Sequence, residues 1–355
     1  MDLGNQIEID FHPVGSGEKS GDAITMRFGD FTEGNQFVVV IDGGDKDSGN
    51  RIVEHIREHY NSEKVDLVIS THPDSDHTSG LRVVLEEMEV GGIWMHLPWN
   101  HSKRIGDLFH DGRITDESLK ERLRKAYRYA YELEKMAIDQ DIKIYEPFAG
   151  LRSLHNIFTI LGPSKDYYLE LLTDSAKTPE KKDIGLKGGI FESIKTFSAK
   201  AISWITETLE QGTLDDSGET SSENNSSAVV LFEFDGKKIL FTGDTGIPAL
   251  NNVLEYCEDN NIDLSDIVIM QVPHHGAQRN ISPELIKSFN PEMAVVLASK
   301  KAPKHPSYKV SNEFHRNNIG VWTTEGNIIN YVHNCEFREG YTSVPPIGFK
   351  SEVQE

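Results

Sequence analysis

Between Ile69 and Gly80 the chain reads ISTHPDSDHTSG. This sets two imidazoles, His72 and His77, and two carboxylates, Asp74 and Asp76, at the spacing H-x-D-x-D-H. Carboxylates this close repel one another unless positive charge lies between them. Mixed nitrogen and oxygen donors suit Zn²⁺, and Mn²⁺ or Fe²⁺ as the oxygen share rises. Two later clusters repeat the theme: Asp244 in ILFTGDTG, and the pair His274 and His275 in IMQVPHHGA. Alone, Asp244 reads as a cap or a surface group; three such clusters, each behind an apolar run, read as a metal centre. Such an ion can bring a bound water to ionise near neutral pH and stabilise developing negative charge. A fourth stretch, SKKAPKHPSYK, gathers Lys300, Lys301, Lys304 and Lys309 around His305 with no acid among them. An isolated lysine run is more often a solvated loop. Beside a metal centre, its lysines can hold phosphate oxygens as point charges, and His305 can bind the phosphate or protonate a leaving group. His101, His110, His155 and His333 read as ordinary histidines.

Strands must deliver these residues to one place. Residues 1–45 are β-rich, with IEIDFHPV, AITMRF and FVVVIDGG as short apolar or alternating runs bounded by glycine. A helix at about 50–60 precedes the buried strand VDLVIST; a second helix, SGLRVVLEEM, starts just after the motif, and GGIWMHLPW is the next strand. The alternation predicts a layered α/β domain with its polar clusters on loops at strand ends. From Leu119 through Leu123, Ala126, Tyr127, Ala130 and Leu133 to Ala137, spacings of three and four predict one long amphipathic helix whose tyrosines pack. Ile194, Phe197, Ala201, Trp204, Ile205 and Leu209 predict another, followed by a polar, mobile tail. SAVVLFEFDGKKILFTGD is a hairpin turning on Asp235-Gly236. The strand DIVIMQV, a helix near 283–289, the strand MAVVLAS, the basic loop, and a terminal helix and hairpin complete the chain.

These motifs resemble the metallo-β-lactamase fold superfamily, and within it the soluble hydrolase domain of ComEC-type competence proteins. GDAI with VVVIDGG, STHPDSDHTSGL, NNSSAVVLFEFDGKKILFTGD, VPHHGA and KHPS are similar to that group's signature stretches and follow in its order. The resemblance implies an αββα sandwich spanning 1–355 as a single domain, with a helical insertion at about 101–148 and a second at about 170–223. It implies two divalent ions, zinc first and manganese second. His72 and Asp74 would hold one, Asp76 and His77 with His275 the other, and Asp244 would bridge them. Asn225 (or Asn224) stands where the superfamily's third motif has a histidine, and an amide oxygen is a weak ligand. One ion should therefore be held tightly and the other should dialyse away. Asp76, His274 and His305 are the expected catalytic groups, and Lys300, Lys301 and Lys304 the expected phosphate contacts. A phosphodiester substrate follows, as in a nuclease or nucleotide phosphodiesterase.

Bulk properties narrow the partners. With 36 basic and 57 acidic side chains the net charge is −21, which repels long polyanions. Short or single-stranded nucleic acid or a free nucleotide is expected over long duplex DNA. Two cysteines make no disulfide framework, no run has the ~18 apolar residues of a membrane span, and MDLGNQIEIDFHP has no secretory pattern. A cytoplasmic setting is expected. Two rivals stand beside the phosphodiesterase: a lactone, amide or thioester hydrolase of the same fold, which predicts a more apolar pocket, and a metal-binding sensor or adaptor built on the two insertions.

Overall fold

The computed structural model describes residues 3–15, 19–109, 115–178 and 204–354. Two seven-stranded sheets form its centre. The first runs in the order 329–333, 6–11, 23–30, 35–43, 67–69, 92–94, 143–145, and the second 320–323, 293–296, 267–271, 237–241, 229–234, 158–162, 152–153. Each sheet is antiparallel on one side and parallel on the other. The strand Gln6–Phe11 shows how the layers arise. Ile7, Ile9 and Phe11 point into the space between the sheets, where they meet Phe158, Phe232 and Phe241 of the second sheet. Glu8 and Asp10 alternate to the other face. On that outer face Ile52, Val84 and Leu133 from three helices cover Val38, Val40, Val68 and Ile93. Leu250, Leu285 and Phe314 do the same for Val229, Leu231 and Leu240 of the second sheet. The result is an αββα sandwich.

Parallel strands lead their chain out at a common edge, and the candidate ligands leave from there. The strands Asn35–Gly43, Leu67–Ile69, Lys237–Phe241 and Ile267–Gln271 end just before or at Asp42, His72, Asp244 and His274. The hairpin on Asp235-Gly236 forms as expected, with φ of 47° and 69° matching the left-handed turn that the pair favours.

Five expectations change. The helix after the metal motif begins inside it, at Ser75, so Asp76 and His77 lie on its first turn. The long helix of the first insertion is two, Asp116–Ala126 and Arg128–Asp139, broken at Tyr127 (φ −106°, ψ 48°). Its apolar face is nonetheless the predicted one, with Leu119, Leu123, Ala130, Leu133 and Ala137 buried. At the break Tyr127 is buried, and its hydroxyl donates to Glu223 at 3.1 Å. The C-terminal strands Gly320–Thr323 and Ile329–His333 form no hairpin; they join different sheets, against 293–296 and 6–11. Of the second insertion's helix, Ile194, Phe197 and Ala201 lie outside the described residues. Its last part is a strand, Trp204–Thr206, paired antiparallel with Glu352–Gln354. The following polar tail is anchored: Glu207 pairs with Arg316 at 2.9 Å, and the backbone of Arg279 lies against Gly218. Among the described residues no helix is long and apolar enough to cross a membrane.

Candidate metal centre

Gly80 explains how the motif is held. A side chain there would strike the backbone of Gly43, so only glycine lets the helix Ser75–Glu87 settle against the end of the strand Asn35–Gly43. That contact brings His77 under Asp42. On the second sheet, His274 and His275 both adopt left-handed backbone, with φ of 49° and 56°. The conformation costs on the order of 1–3 kcal/mol for a non-glycine residue. Here it turns both rings toward one carboxylate.

That carboxylate is Asp244. Its Oδ2 lies 3.4 Å from His77 Nε2, 3.7 Å from His274 Nε2, 3.8 Å from His72 Nε2 and 3.9 Å from His275 Nε2. The far nitrogen of each ring has a partner that decides where its proton sits. His77 Nδ1 donates to Asp42 Oδ2 at 2.8 Å, and His275 Nδ1 to the carbonyl of Leu297 at 2.9 Å. His72 Nδ1 lies 3.1 Å from the Thr71 hydroxyl, which spends its own proton on Asp42 and therefore accepts. His274 Nδ1 meets Asn280 Oδ1 at 3.0 Å, and the Asn280 amide donates to the carbonyls of Asp244 and Thr245, which fixes its oxygen as the acceptor. All four rings thus carry hydrogen on Nδ1 and can present an Nε2 lone pair to Asp244.

Lone pairs facing a carboxylate demand positive charge, either as added protons or as a bound cation. Burial works to lower His275, yet the charges of Asp244 and Asp22 push it up to about 9, and His77 is driven the same way by Asp244 and Asp42. Burial likewise works to raise Asp244, and His77, His274 and His275 hold it well below the carboxylate range. His72 Nε2, His77 Nε2, Asp244 Oδ1 and Asp22 Oδ1 are buried without a hydrogen-bond partner. Ligand atoms of Asp76, His77 and His275 lie within 4.8 Å of one another, as do those of Asp22, His77 and Asp244. This donor set fits a divalent ion of zinc or manganese type.

The remaining candidates fall around this core. Asp74 begins the helix but does not cap it; its Oδ1 accepts from Lys177 Nζ at 3.0 Å, and its Oδ2 lies 4.0 Å from His72 Nε2. Asn225 does not turn its amide oxygen to the cluster, because that oxygen accepts from the backbone N–H of Gly246 at 3.2 Å. His305 is brought in: its ring centre lies 5.7 Å from that of His274 and 5.8 Å from that of His275. Burial, reinforced by His275 and His274, lowers it to about 4, so it is neutral near pH 7. Lys300, Lys301 and Lys304 are exposed on the preceding loop, whereas Lys309 is buried on the helix Tyr308–Arg316. Beside Asp76 opens a cleft of about 650 Å³ lined in part by Lys19, Lys46, Arg82, Asp45 and Glu86. Asp22, Asp42 and Lys177 carry no role in the sequence reading. The first two stood in GDAI and VVVIDGG, where a carboxylate at the limit of a buried strand, Asp22 just before one and Asp42 at the end of another, was the available signal. Lys177 had none.

The chain is similar to several known proteins. Over 149 residues the chain is 28% identical to Recombination protein 2 of Haemophilus influenzae, covering 41% of this chain and 17% of that protein. Over 99 residues it is 34% identical to the protein YcaI of Escherichia coli K12, covering 27% and 12%. The chain therefore spans less than a fifth of either relative. Among solved structures it is similar to a diphosphatase from the PhnP family at 10% identity, with 94% and 98% of the two chains covered and a TM-score of 0.40. A long-form RNase Z from yeast gives 12% identity, coverage of 92% and 42%, and a TM-score of 0.40. The family model for the metallo-beta-lactamase superfamily matches residues 31–299, a span that takes in His72 through His275, and the chain belongs to that superfamily.

Proposed function

We propose that this chain is a metal-dependent phosphodiesterase acting on nucleotides or on short or single-stranded nucleic acid. The observation that carries the metal reading is the ring of four Nε2 atoms around Asp244 Oδ2, each fixed in tautomer by its far nitrogen. Asp76, His77, His275 and Asp244 are assigned as ligands, with His72 and Asp74 facing Asp244 as the second half of the set. A bound zinc or manganese ion supplies a water of lowered pKa and a counter-charge for the developing oxyanion. Asp42 and the Leu297 carbonyl hold His77 and His275 as Nδ1–H tautomers, which would leave their Nε2 lone pairs free to hold the ion. Asp76 orients the nucleophile. His274, whose side chain is 31% exposed, is the ring of the four that a substrate can reach, with its Nε2 3.7 Å from Asp244 Oδ2. His305, neutral, donates its N–H to a phosphate oxygen, the binding half of its expected role. Lys300, Lys301 and Lys304 contact the phosphate as charges.

A phosphodiester is favoured over a lactone, amide or thioester because Lys300, Lys301 and Lys304 stand exposed on the loop that leads to His305. One relative is named a recombination protein, which suits a nucleic-acid substrate. Two free thiols, Cys257 and Cys335, suit the cytoplasm. The test is hydrolysis of bis(p-nitrophenyl) phosphate against a lactone and a β-lactam, with Mn²⁺ or Zn²⁺ and after chelation. Chelator-sensitive cleavage of the phosphodiester is expected; turnover of the lactone or β-lactam alone would overturn the assignment, and cleavage of none would favour a sensor.

A further inference from the structure

We propose that the ammonium of Lys177 takes the place of a second divalent ion beside Asp74, so that the centre binds one ion, from the Asp76, His77, Asp244 and His275 side. This rests on the metal reading above and specifies its stoichiometry. Lys177 Nζ lies 3.0 Å from Asp74 Oδ1 and 3.9 Å from Glu223 Oε1. The lysine is held from several directions. Its Nζ lies over the Tyr127 ring, 4.8 Å from the centroid, and its backbone N–H donates to Ser175 Oγ at 3.0 Å. Arg122 donates to the carbonyls of Lys177 and Thr178 at 3.3 and 3.2 Å. Glu223 is buried and accepts from Tyr127 and Ser175 as well.

The two sides of Asp244 differ accordingly. On one, Asp76, His77 and His275 offer ligand atoms within 4.8 Å of one another, next to the Asp244 carboxylate. Among the described residues, Asp74 joins no such cluster of three. On its side stand His72, an ammonium already seated on Asp74, and an Asn225 oxygen engaged by Gly246. A second dication there would meet the repulsion of both the ammonium and the first ion. Displacing the lysine would also leave Glu223 buried without its cation. Lys177 is about a third exposed, so its charge also reaches the face that a substrate phosphate must approach.

The experiment counts bound Mn²⁺ by elemental analysis after chelation, reloading and removal of free metal, for wild type, Lys177→Ala and Lys177→Arg. We expect one equivalent in wild type and Lys177→Arg, and two in Lys177→Ala. The Mn²⁺ electron paramagnetic resonance spectrum of wild type should be that of an isolated ion, without exchange coupling. Two equivalents in wild type, or a coupled spectrum, overturns the proposal. So does a single equivalent in a folded Lys177→Ala variant, which would leave the metal reading intact. No binding by any of the three removes the metal reading and this inference together. Should Lys177→Ala fail to fold, the wild-type count and spectrum decide.

Discussion

Asp42 shows how far the centre depends on residues that never need to touch the ion. It accepts from His77 Nδ1 at 2.8 Å and from Thr71 at 2.6 Å, and Thr71 in turn fixes His72. One carboxylate thus sets two tautomers. Asp42→Asn should weaken Mn²⁺ affinity by roughly 10–100-fold, the usual effect of losing a group that orients a ligand. Titration calorimetry checks this, and unchanged affinity would mean that His77 orients itself. His305 makes a different prediction. His305→Ala should lower phosphodiester turnover by at least about ten-fold, the loss of one hydrogen bond to a charged group, with metal content unchanged. Wild-type kinetics in that variant would leave its loop merely structural. His72, Asp74, Asp76, His77, Asp244 and His275 were legible because each follows an apolar strand in a recognisable pattern. Lys177 was not, since its stretch has no hydrophobic period and its partners, Asp74 and Glu223, are distant in sequence. Asn225 was legible as an oddity, but only the fold shows its oxygen spent on Gly246.

At the scale of elements, strands were easier to read than helix limits. A buried strand shows itself as an apolar run, whereas the break falls at Tyr127, whose hydroxyl reaches a buried carboxylate ninety-six positions away that no local pattern records. The terminal pair was misread for a similar reason: Gly320–Thr323 and Ile329–His333 are adjacent in sequence but are claimed by different sheets. The loop after the strand Gly92–Trp94 carries a further consequence. His96 is buried there, stacked on Tyr168 with ring centres 4.3 Å apart, and neither ring nitrogen has a hydrogen-bond partner. Burial lowers it from the usual 6.5 to about 3. Between those values the unfolded chain binds a proton that the folded chain refuses, so stability is full above 6.5 and falls as pH drops toward 3. The slope is about 1.4 kcal/mol per pH unit for each such histidine. His12, also lowered to about 3 with burial as the largest cause, adds a second. His96→Phe keeps the ring stack and should remove one proton's share of the slope. Denaturant unfolding at pH 7 and pH 5 measures it, and an unaltered slope would show that His96 is protonated in the fold.

For the whole molecule, charge decides which substrates arrive. A chain of net charge −21 attracts a phosphodiester only through local cations. Combining Lys300→Glu with Lys304→Glu should raise KM for a single-stranded oligonucleotide, leave kcat close to wild type, and flatten the dependence of KM on salt. Unchanged salt dependence would assign the attraction to Lys19, Lys46 and Arg82 instead.

The centre also lies where the two sheets converge. His72, His77 and Asp76 are carried by the first sheet and its helix, Asp244 and His275 by the second, and Gln271 of the second sheet donates to Asp22 of the first. Its two cysteines are free, so no disulfide joins these layers. An ion held by both therefore acts as a clasp, closing one edge of the sandwich much as a covalent cross-link would. Loading at a thousand times Kd should stabilise the fold by about 4 kcal/mol, since the unfolded chain scatters the ligands. The same loading of Asp244→Ala should change little. If stripped and loaded wild type unfold at the same denaturant concentration, no ion binds the folded chain in preference to the unfolded one, and the sandwich is closed by its apolar seam alone.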